Sequence, residues 1–295
     1  MSFFNKKKIL VTHNGAFHAD DLFATATISI LNKGNIKVIR TRDPKVIESA
    51  DYVFDVGGIY DPEKNRFDHH QKGGAGSRPS GTPYASFGLV WKTYGEQLCG
   101  SKEVANKIDE KIAQSIDAND NGINLFDAKG DIAPYTLQDI LFDFRPSWKE
   151  EQDYDKGFFE LVPFVTRILS REIIKIKDEL EASSIVKKAY DEAKDKRVII
   201  LDGNYPWGET LSLYEEPLYV ISSKSDMWRA EAVRKDKNNF EVRKAFPESW
   251  AGKRDEELVK ETGVADAVFC HNGRFLIVAK SKEGIIALVQ KALIS

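Results

Sequence analysis

The first seventy residues repeatedly end β-forming runs on side chains that ionise or bind metal. Lys8-Ile9-Leu10-Val11-Thr12 stops at His13-Asn14-Gly15, and Tyr52-Val53-Phe54 stops at Asp55 before Gly57-Gly58. A loop further on carries Asp68-His69-His70, and four of the five histidines lie between positions 13 and 70. Buried carboxylates and imidazoles are costly unless something pairs with them. A fold that ends strands this way must therefore bring those ends to one polar place. Between the runs lie helical stretches: Leu22–Ile28 after a loop holding His18, Asp20 and Asp21, and Arg42–Ser49 after a second strand at Ile36–Thr41. Alternating strands and helices predict a parallel sheet, with ligands bound at the carboxyl ends of its strands.

The rest of the chain sorts into domains. The length of 295 residues favours two. A Gly-rich loop at 72–83 with Lys72 and Arg78 precedes a helix at 84–95. Another helix at 102–116 has Val104, Ile108, Ile112 and Ile116 at helical spacing. It runs into Asp117-Ala118-Asn119-Asp120-Asn121-Gly122. A polar break near residue 150 precedes a stretch of helical composition from Phe158 to Ala193, with Pro163 near its start. Strands return at 197–201, 218–221 and 228–234, the last with Phe240–Arg243 as its hairpin partner. Two more strands meet at Asn272-Gly273, and a helix over 282–293 closes the chain. The expected architecture is α/β. A parallel-sheet N-terminal domain (1–150) and a smaller C-terminal α/β domain (195–295) are joined by a helical connector (151–194).

Composition excludes several classes. Hydrophobic residues at 42% and charged residues at 30% fit a soluble globular chain, and a net charge of −3 gives no global attraction for nucleic acid. Cys99 and Cys270 form no metal or redox spacing, which fits a reducing compartment. Met1–Lys8 holds no apolar leader and no run is long enough to span a membrane, so a cytoplasmic location is expected.

His13, His18, Asp20, Asp55, Asp68, His69, His70 and an aspartate from 117–120 are enough ligands for a pair of divalent ions. Such a pair, about 3.5–4 Å apart, lowers the pKa of a bridging water and clamps a phosphoryl centre. Oxygen and imidazole donors without thiolate favour manganese, magnesium or cobalt over structural zinc. The opposing reading, packed or surface histidines, suffices for each one singly but not for the set. In the C-terminal half, Trp228, Arg229, Arg234, Arg243, Trp250, Lys253 and Arg254 interleave aromatics with cations, as a single-stranded nucleic-acid surface does. An ordinary amphipathic sheet with core tryptophans reads equally well.

Thr12–Gly15, Phe17–Asp21, Asp55–Pro62, Phe67–Gln71 and Ile116–Gly122 closely resemble the melanocyte proliferating gene 1 protein family, which is similar to the DHH phosphoesterase superfamily. The likeness continues through Trp228-Arg229, Pro247–Asp255 and Lys282-Glu283-Gly284. It implies a two-domain phosphoesterase with two manganese or magnesium ions between the domains, and a 3′–5′ exonuclease activity on RNA. His13 and Asp20 match the first superfamily motif, and His18 stands where that motif has its first aspartate. Asp55 is the implied bridge. Asp68 and His69 match metal-positioning residues, and His70 a residue that faces substrate phosphate. Asp120 fits the fourth motif best, with Asp117 second. His271-Asn272-Gly273-Arg274 is a candidate for the C-terminal substrate motif.

The expected function is metal-dependent hydrolysis of single-stranded RNA or DNA by a bridging water. His70, Lys72 or Arg78 would steady the developing charge. Trp228, Arg229, Arg243, Trp250, Arg254 and His271 would hold the strand. The alternatives are a small-molecule phosphohydrolase, acting on pyrophosphate, a cyclic dinucleotide or oligonucleotide fragments, and a metal-stabilised nucleic-acid-binding protein without turnover. Expected partners are a single-stranded nucleic acid or oligonucleotide and no membrane; monomer and homodimer stay open.

Overall fold

Strand β1 (Lys8–Thr12) lies inside the first sheet because β2 (Ile36–Arg40) and β3 (Tyr52–Phe54) pair with its two edges, both in parallel. That is why Leu10, Val11 and Thr12 are buried in succession instead of alternately. The computed structural model describes residues 6–127, 130–236 and 239–295; the expected lead-in at Met1–Asn5 lies outside them. β5 (Arg66–Phe67) adds in parallel to β3, and β4 (Tyr60–Asp61) pairs antiparallel at the edge, giving the order β2-β1-β3-β5-β4. The expected parallel sheet therefore carries one antiparallel edge, made by a small hairpin that the short runs did not announce. Its second strand, β5, runs directly into Asp68.

Helix α1 (Ala19–Leu31) leads from β1 out to β2, and α2 (Pro44–Ser49) leads back past β1 to β3. Val46 and Ile47 of α2 pack with Ile9, Val11, Ile39 and Val53 of the sheet. Strand order thus reverses between β1 and β3, the place where open α/β sheets bind ligands. His13 and Asp55 lie at the two strand ends that flank it.

Helix α3 (Ser86–Cys99) packs on α1 and on β3 and β5. Helices α4 (Lys102–Ile108) and α5 (Gln114–Asp120) are one helical run with a π turn at Asp109–Ala113. The extra residue in a π turn shifts the helix phase by one position. Val104, Ile108 and Ile116 are buried as their spacing predicts, but Ala113 takes the buried place expected of Ile112. The same shift puts Asp117, four residues after Ala113, in a buried place. A short α6 (Leu137–Phe142) follows.

Helix α7 spans Tyr154–Glu192, and the chain divides into two compact units inside it, Met1–Lys177 and Asp178–Ser295. The helix begins earlier than its composition suggests, so Pro163 sits in its interior. There it removes one backbone hydrogen bond.

The second unit is a mixed sheet in the order β6-β7-β8-β10-β9, made of β6 (Val198–Ile200), β7 (Tyr219–Lys224), β8 (Met227–Ala232), β9 (Ala267–Cys270) and β10 (Leu276–Ala279). A four-residue α8 (Gly208–Leu211) lies between β6 and β7. Helices α9 (Asp255–Thr262) and α10 (Lys282–Ile294) contribute Leu258, Ile285, Leu288 and Val289 to one apolar core with Ala230, Phe246, Trp250 and Ile277. Val186 and Tyr190 of α7 build another with Ile199, Leu201 and Val220. The hairpin expected at Asn272-Gly273 forms, with β9 and β10 antiparallel. The one expected between 228–234 and 240–243 is short: β8 itself pairs with β7 and β10, and among the described residues an antiparallel bridge joins Arg234 to Val242, flanked by the Lys235 N–H on the Glu241 carbonyl and the Arg243 N–H on the Val233 carbonyl. Lys237 and Asn238 of that turn lie outside the described residues.

Candidate metal centre

Asp55 is the residue on which the centre converges. It ends β3 with φ 56°, a left-handed conformation that a carboxylate-bearing residue adopts at a cost. Gly57 and Gly58 follow at φ 96° and 68°, where glycine is at ease. The turn splits the two Asp55 oxygens between neighbours. Oδ2 lies 3.2 Å from Nε2 of His13. Oδ1 lies 3.5 Å from Nε2 of His69 and 3.5 Å from Nδ1 of His70. Nε2 of His69 also lies 3.2 Å from Oδ2 of Asp120 at the end of α5.

Among the described residues, three sets of donor atoms come within 4.8 Å of one another: His13, His18 and Asp55; Asp55, His69 and His70; and Asp20, His69 and Asp120. They share Asp55 and His69. Nε2 of His13, Nε2 of His69 and Oδ1 of Asp55 are buried and have no hydrogen-bond partner among the described residues. Buried polar atoms left without partners are rare, and each calls for an explanation. Oxygen and imidazole donors converging around shared space are the ligand set of a hard or borderline divalent cation. These residues could hold metal, and the unmet donor atoms fit that use.

The electrostatics agree. Burial, with Asp120, Asp55 and Asp117 nearby, pushes the fully buried Asp20 carboxyl well above the usual range. Its oxygens accept N–H bonds from Ser86 at 3.1 Å and Phe87 at 2.6 Å, at the start of α3, where the helix dipole favours negative charge. Burial opposes charge on His13, but Asp21 and Asp55 outweigh it and lift the imidazole to about 10. His69 rises to about 10 in the same way, through Asp120 and Asp55. Despite its burial, Asp55 is held low by His13 and His69. The cluster thus draws positive charge towards itself. A pocket of about 580 Å³ opens over it, lined by His13, His18, Asp55, His70, Asp120 and Arg42 among others.

Not every expected residue joins the donors. Asp68 sits behind His70: its Oδ1 accepts the His70 backbone N–H at 3.0 Å and the ring Nδ1–H at 2.8 Å, and its Oδ2 accepts the Gly58 N–H at 2.6 Å. It orients His70 and belongs to none of the donor sets. Asp117 accepts from Gly88 N at 3.0 Å and from Nη1 of Arg78 at 2.6 Å. Burial outweighs the Arg78 guanidinium there and lifts its carboxyl to about 7. Of the two α5 aspartates, Asp120 is therefore the one that faces His69.

Arg78 is not available to substrate. Its remaining nitrogens hold Asp109 at 2.7 and 2.8 Å, its guanidinium lies over the Tyr84 ring, and the residue is buried. Lys72 is exposed. His70 has 62% of its side chain exposed and remains on the pocket wall.

In the second unit, Trp250 is buried and stacked on Phe246, and Trp228 packs against the same core. Both act as core tryptophans. Arg243 donates to the Glu215 and Pro217 carbonyls, and Arg229 is braced by Asn204, Ser222 and Glu231. Arg254 lies over Phe269, and His271 lies beside Phe275.

Two residues near the centre escape a reading by motif. Asp21 lies in the first turn of α1 and helps to cap it: its Oδ1 accepts the His18 N–H. Its Oδ2 is nevertheless buried, without a hydrogen-bond partner, 3.3 Å from Nε2 of His13. Arg42 looked like part of a crossover helix, but it precedes α2 and reaches the pocket. Pairing of adjacent aspartates was the only sequence signal for the first, and nothing local marks the second.

A family model, MYG1_exonuc, described as "Uncharacterised protein family (UPF0160)", matches residues 9–293. An MYG1 protein of Schizosaccharomyces pombe is 31% identical over 96% of this chain and 97% of its own length. A protein of Homo sapiens named MYG1 exonuclease is 30% identical over 96% of this chain and 85% of its own length. Among solved structures, an exopolyphosphatase-related protein from Bacteroides fragilis aligns over 98% of this chain and 92% of its own, at 10% identity and a TM-score of 0.25. A likeness that loose does not establish a shared fold.

Proposed function

The chain belongs to the MYG1 family, and from that premise we propose that it is a metal-dependent phosphodiesterase, a 3′–5′ exonuclease on single-stranded RNA or DNA. The observation that carries this reading is the joining of His13–His18–Asp55 to Asp20–His69–Asp120 through Asp55 and His69. Two sets of donors around one carboxylate suit a pair of divalent ions, manganese or magnesium. Bound there, the pair would supply the positive charge that lowers the pKa of a water and screens phosphoryl oxygens. The family members of human, mouse and rat that are named exonucleases support the same reaction class.

This chain's own residues then have separate tasks. Asp55 holds its two oxygens apart, one towards each half of the cluster. Asp68 fixes the His70 ring through Nδ1 and holds it on the pocket wall. Phe142 and Gln138 wall the pocket, whose volume of about 580 Å³ suits the terminal nucleotide of a strand better than a duplex. The second unit would hold the strand through Arg254 and His271, each beside an aromatic ring. Trp228, Arg229, Arg243 and Trp250 would support that surface from within.

The test is end-labelled single-stranded RNA and DNA incubated with the purified chain and manganese. Shortening from the 3′ end is expected. Asp55→Asn and His69→Ala should each reduce it to background, because each removes a donor that belongs to two of the three donor sets. Turnover surviving both substitutions overturns the mechanism. Manganese binding with no turnover of any oligonucleotide would leave the small-molecule phosphohydrolase, read out by phosphate release from pyrophosphate or a cyclic dinucleotide.

A further inference from the structure

The pocket over the donor cluster has one cationic wall. Of the residues that line it, most are carboxylates, imidazoles, amides or apolar groups, and Arg42 alone carries a permanent positive charge. Other arginines near the pocket are committed elsewhere. Arg40 is buried and bonded to Asp155 at 2.6 Å and to the Gly15 carbonyl at 2.7 Å. Arg78 is held between Asp109 and Asp117. Arg145 donates to the Phe17 carbonyl and stacks over Phe142. Arg42 is exposed and has no ion pair or hydrogen bond from its side chain among the described residues.

Its position is nonetheless fixed. The preceding residue donates its backbone N–H to Thr12, one residue before His13, at 2.8 Å. The following residue, Asp43, caps α2 by accepting from Lys45 N at 2.9 Å. Arg42 is thus held between a strand end and a helix start, beside the His13 side of the cluster. A guanidinium left unpaired next to so many carboxylates is a ready fork for an anion that enters the pocket.

We propose that Arg42 binds the substrate's phosphate, donating to two of its non-bridging oxygens, as the specificity-determining cation of the pocket. This rests on the phosphodiesterase reading for the identity of the whole substrate, but not for the phosphate itself. The ligand class is a phosphate mono- or diester whose phosphoryl group reaches the donor cluster. His70 approaches the same group from the opposite donor set, so the phosphate would be held from two sides.

The test uses the full chain loaded with manganese and inorganic phosphate as the probe, with binding measured by calorimetry. Arg42→Ala should weaken phosphate binding and raise KM for a short oligonucleotide by about tenfold or more, the loss of a charge-assisted pair. Arg42→Lys should restore part of both, and manganese affinity should be unchanged. Lys37→Ala, which removes an exposed charge from β2 outside the pocket, should change neither. A phosphate affinity in Arg42→Ala within twofold of the parent overturns the assignment, as does a parent that binds no phosphate. Loss of manganese binding in both Arg42 variants also overturns it, because the side chain would then support the donors instead. Arg42-dependent phosphate binding by a chain that shortens no oligonucleotide would keep the assignment and end the exonuclease reading.

Discussion

Asp55 shows how a single backbone angle can organise a centre. Its left-handed φ turns one carboxylate outward from β3, so that His13 and His69 both lean on it. The price in backbone strain, of order 1–3 kcal/mol, is the kind met at functional sites. Those imidazoles also make the metal-free protein sensitive to pH. Each has a pKa raised from 6.5 to about 10 in the fold. A group raised in this way stabilises the fold fully below its unfolded pKa, and the contribution disappears as pH climbs through the folded value. The buried Asp20 and Asp21, also raised, act in the same sense at lower pH. With metal chelated, the melting temperature should therefore fall between about pH 6.5 and about pH 10. Manganese must displace the same protons, so its affinity should rise across that interval. Scanning calorimetry in chelator, and manganese titrations at several pH values, read both. A melting temperature that is flat over the interval would show that the imidazoles are not protonated by their carboxylates.

At the scale of elements, the run from α4 to α5 places Asp120, and Arg78 holds that run in place. Asp109 from the π turn and Asp117 from α5 both bind the one guanidinium, and Asp117 also takes the Gly88 N–H at the start of α3. Removing Arg78 would leave two carboxylates facing each other, one of them fully buried. Breaking a buried pair from one side costs about 3–5 kcal/mol. Arg78→Ala should lose about that much stability in urea unfolding and weaken manganese binding, because Asp120 lies one helical turn beyond Asp117. Gly88→Ala should act through the same joint, since its Cβ would come within 1.8 Å of the Asp117 carboxylate. Losses under about 1 kcal/mol from Arg78→Ala would mean that the carboxylates find other partners and the brace is dispensable.

At the scale of the whole molecule, the chain carries separate cores on either side of the Lys177–Asp178 division. The second unit keeps both of its apolar cores, including Val186 and Tyr190 of α7, if cut at that point. A fragment of residues 178–295 should melt cooperatively and ignore manganese. The full chain should gain about 2.7 kcal/mol at manganese a hundredfold above its dissociation constant. Differential scanning calorimetry of both would decide it: a fragment without a transition would make the second unit dependent on the first. A fragment stabilised by manganese would locate metal ligands outside the donor cluster.

The strands at 8–12 and 52–54, the two-domain α/β class and the pooling of His13, Asp55 and His69 could all be read from the chain. Their signals are local: a short β-forming run, a following turn, and ionisable residues at the break. Which carboxylates face the centre could not be read from local pattern. The resemblance ranks Asp120 ahead of Asp117, and in the fold Arg78 and Gly88 hold Asp117 while Asp120 faces His69. Asp68 is adjacent to His69, yet its oxygens accept from two backbone N–H groups and the His70 ring. Trp250 alternates with cations as a stacking platform would, but the core under β8 and β10 claims it. By itself the sequence determined which kinds of atom are at hand and roughly where strands end. Tertiary structure decided which of those atoms remain unpaired, because a hydrogen bond or ion pair from a distant residue can satisfy any one of them.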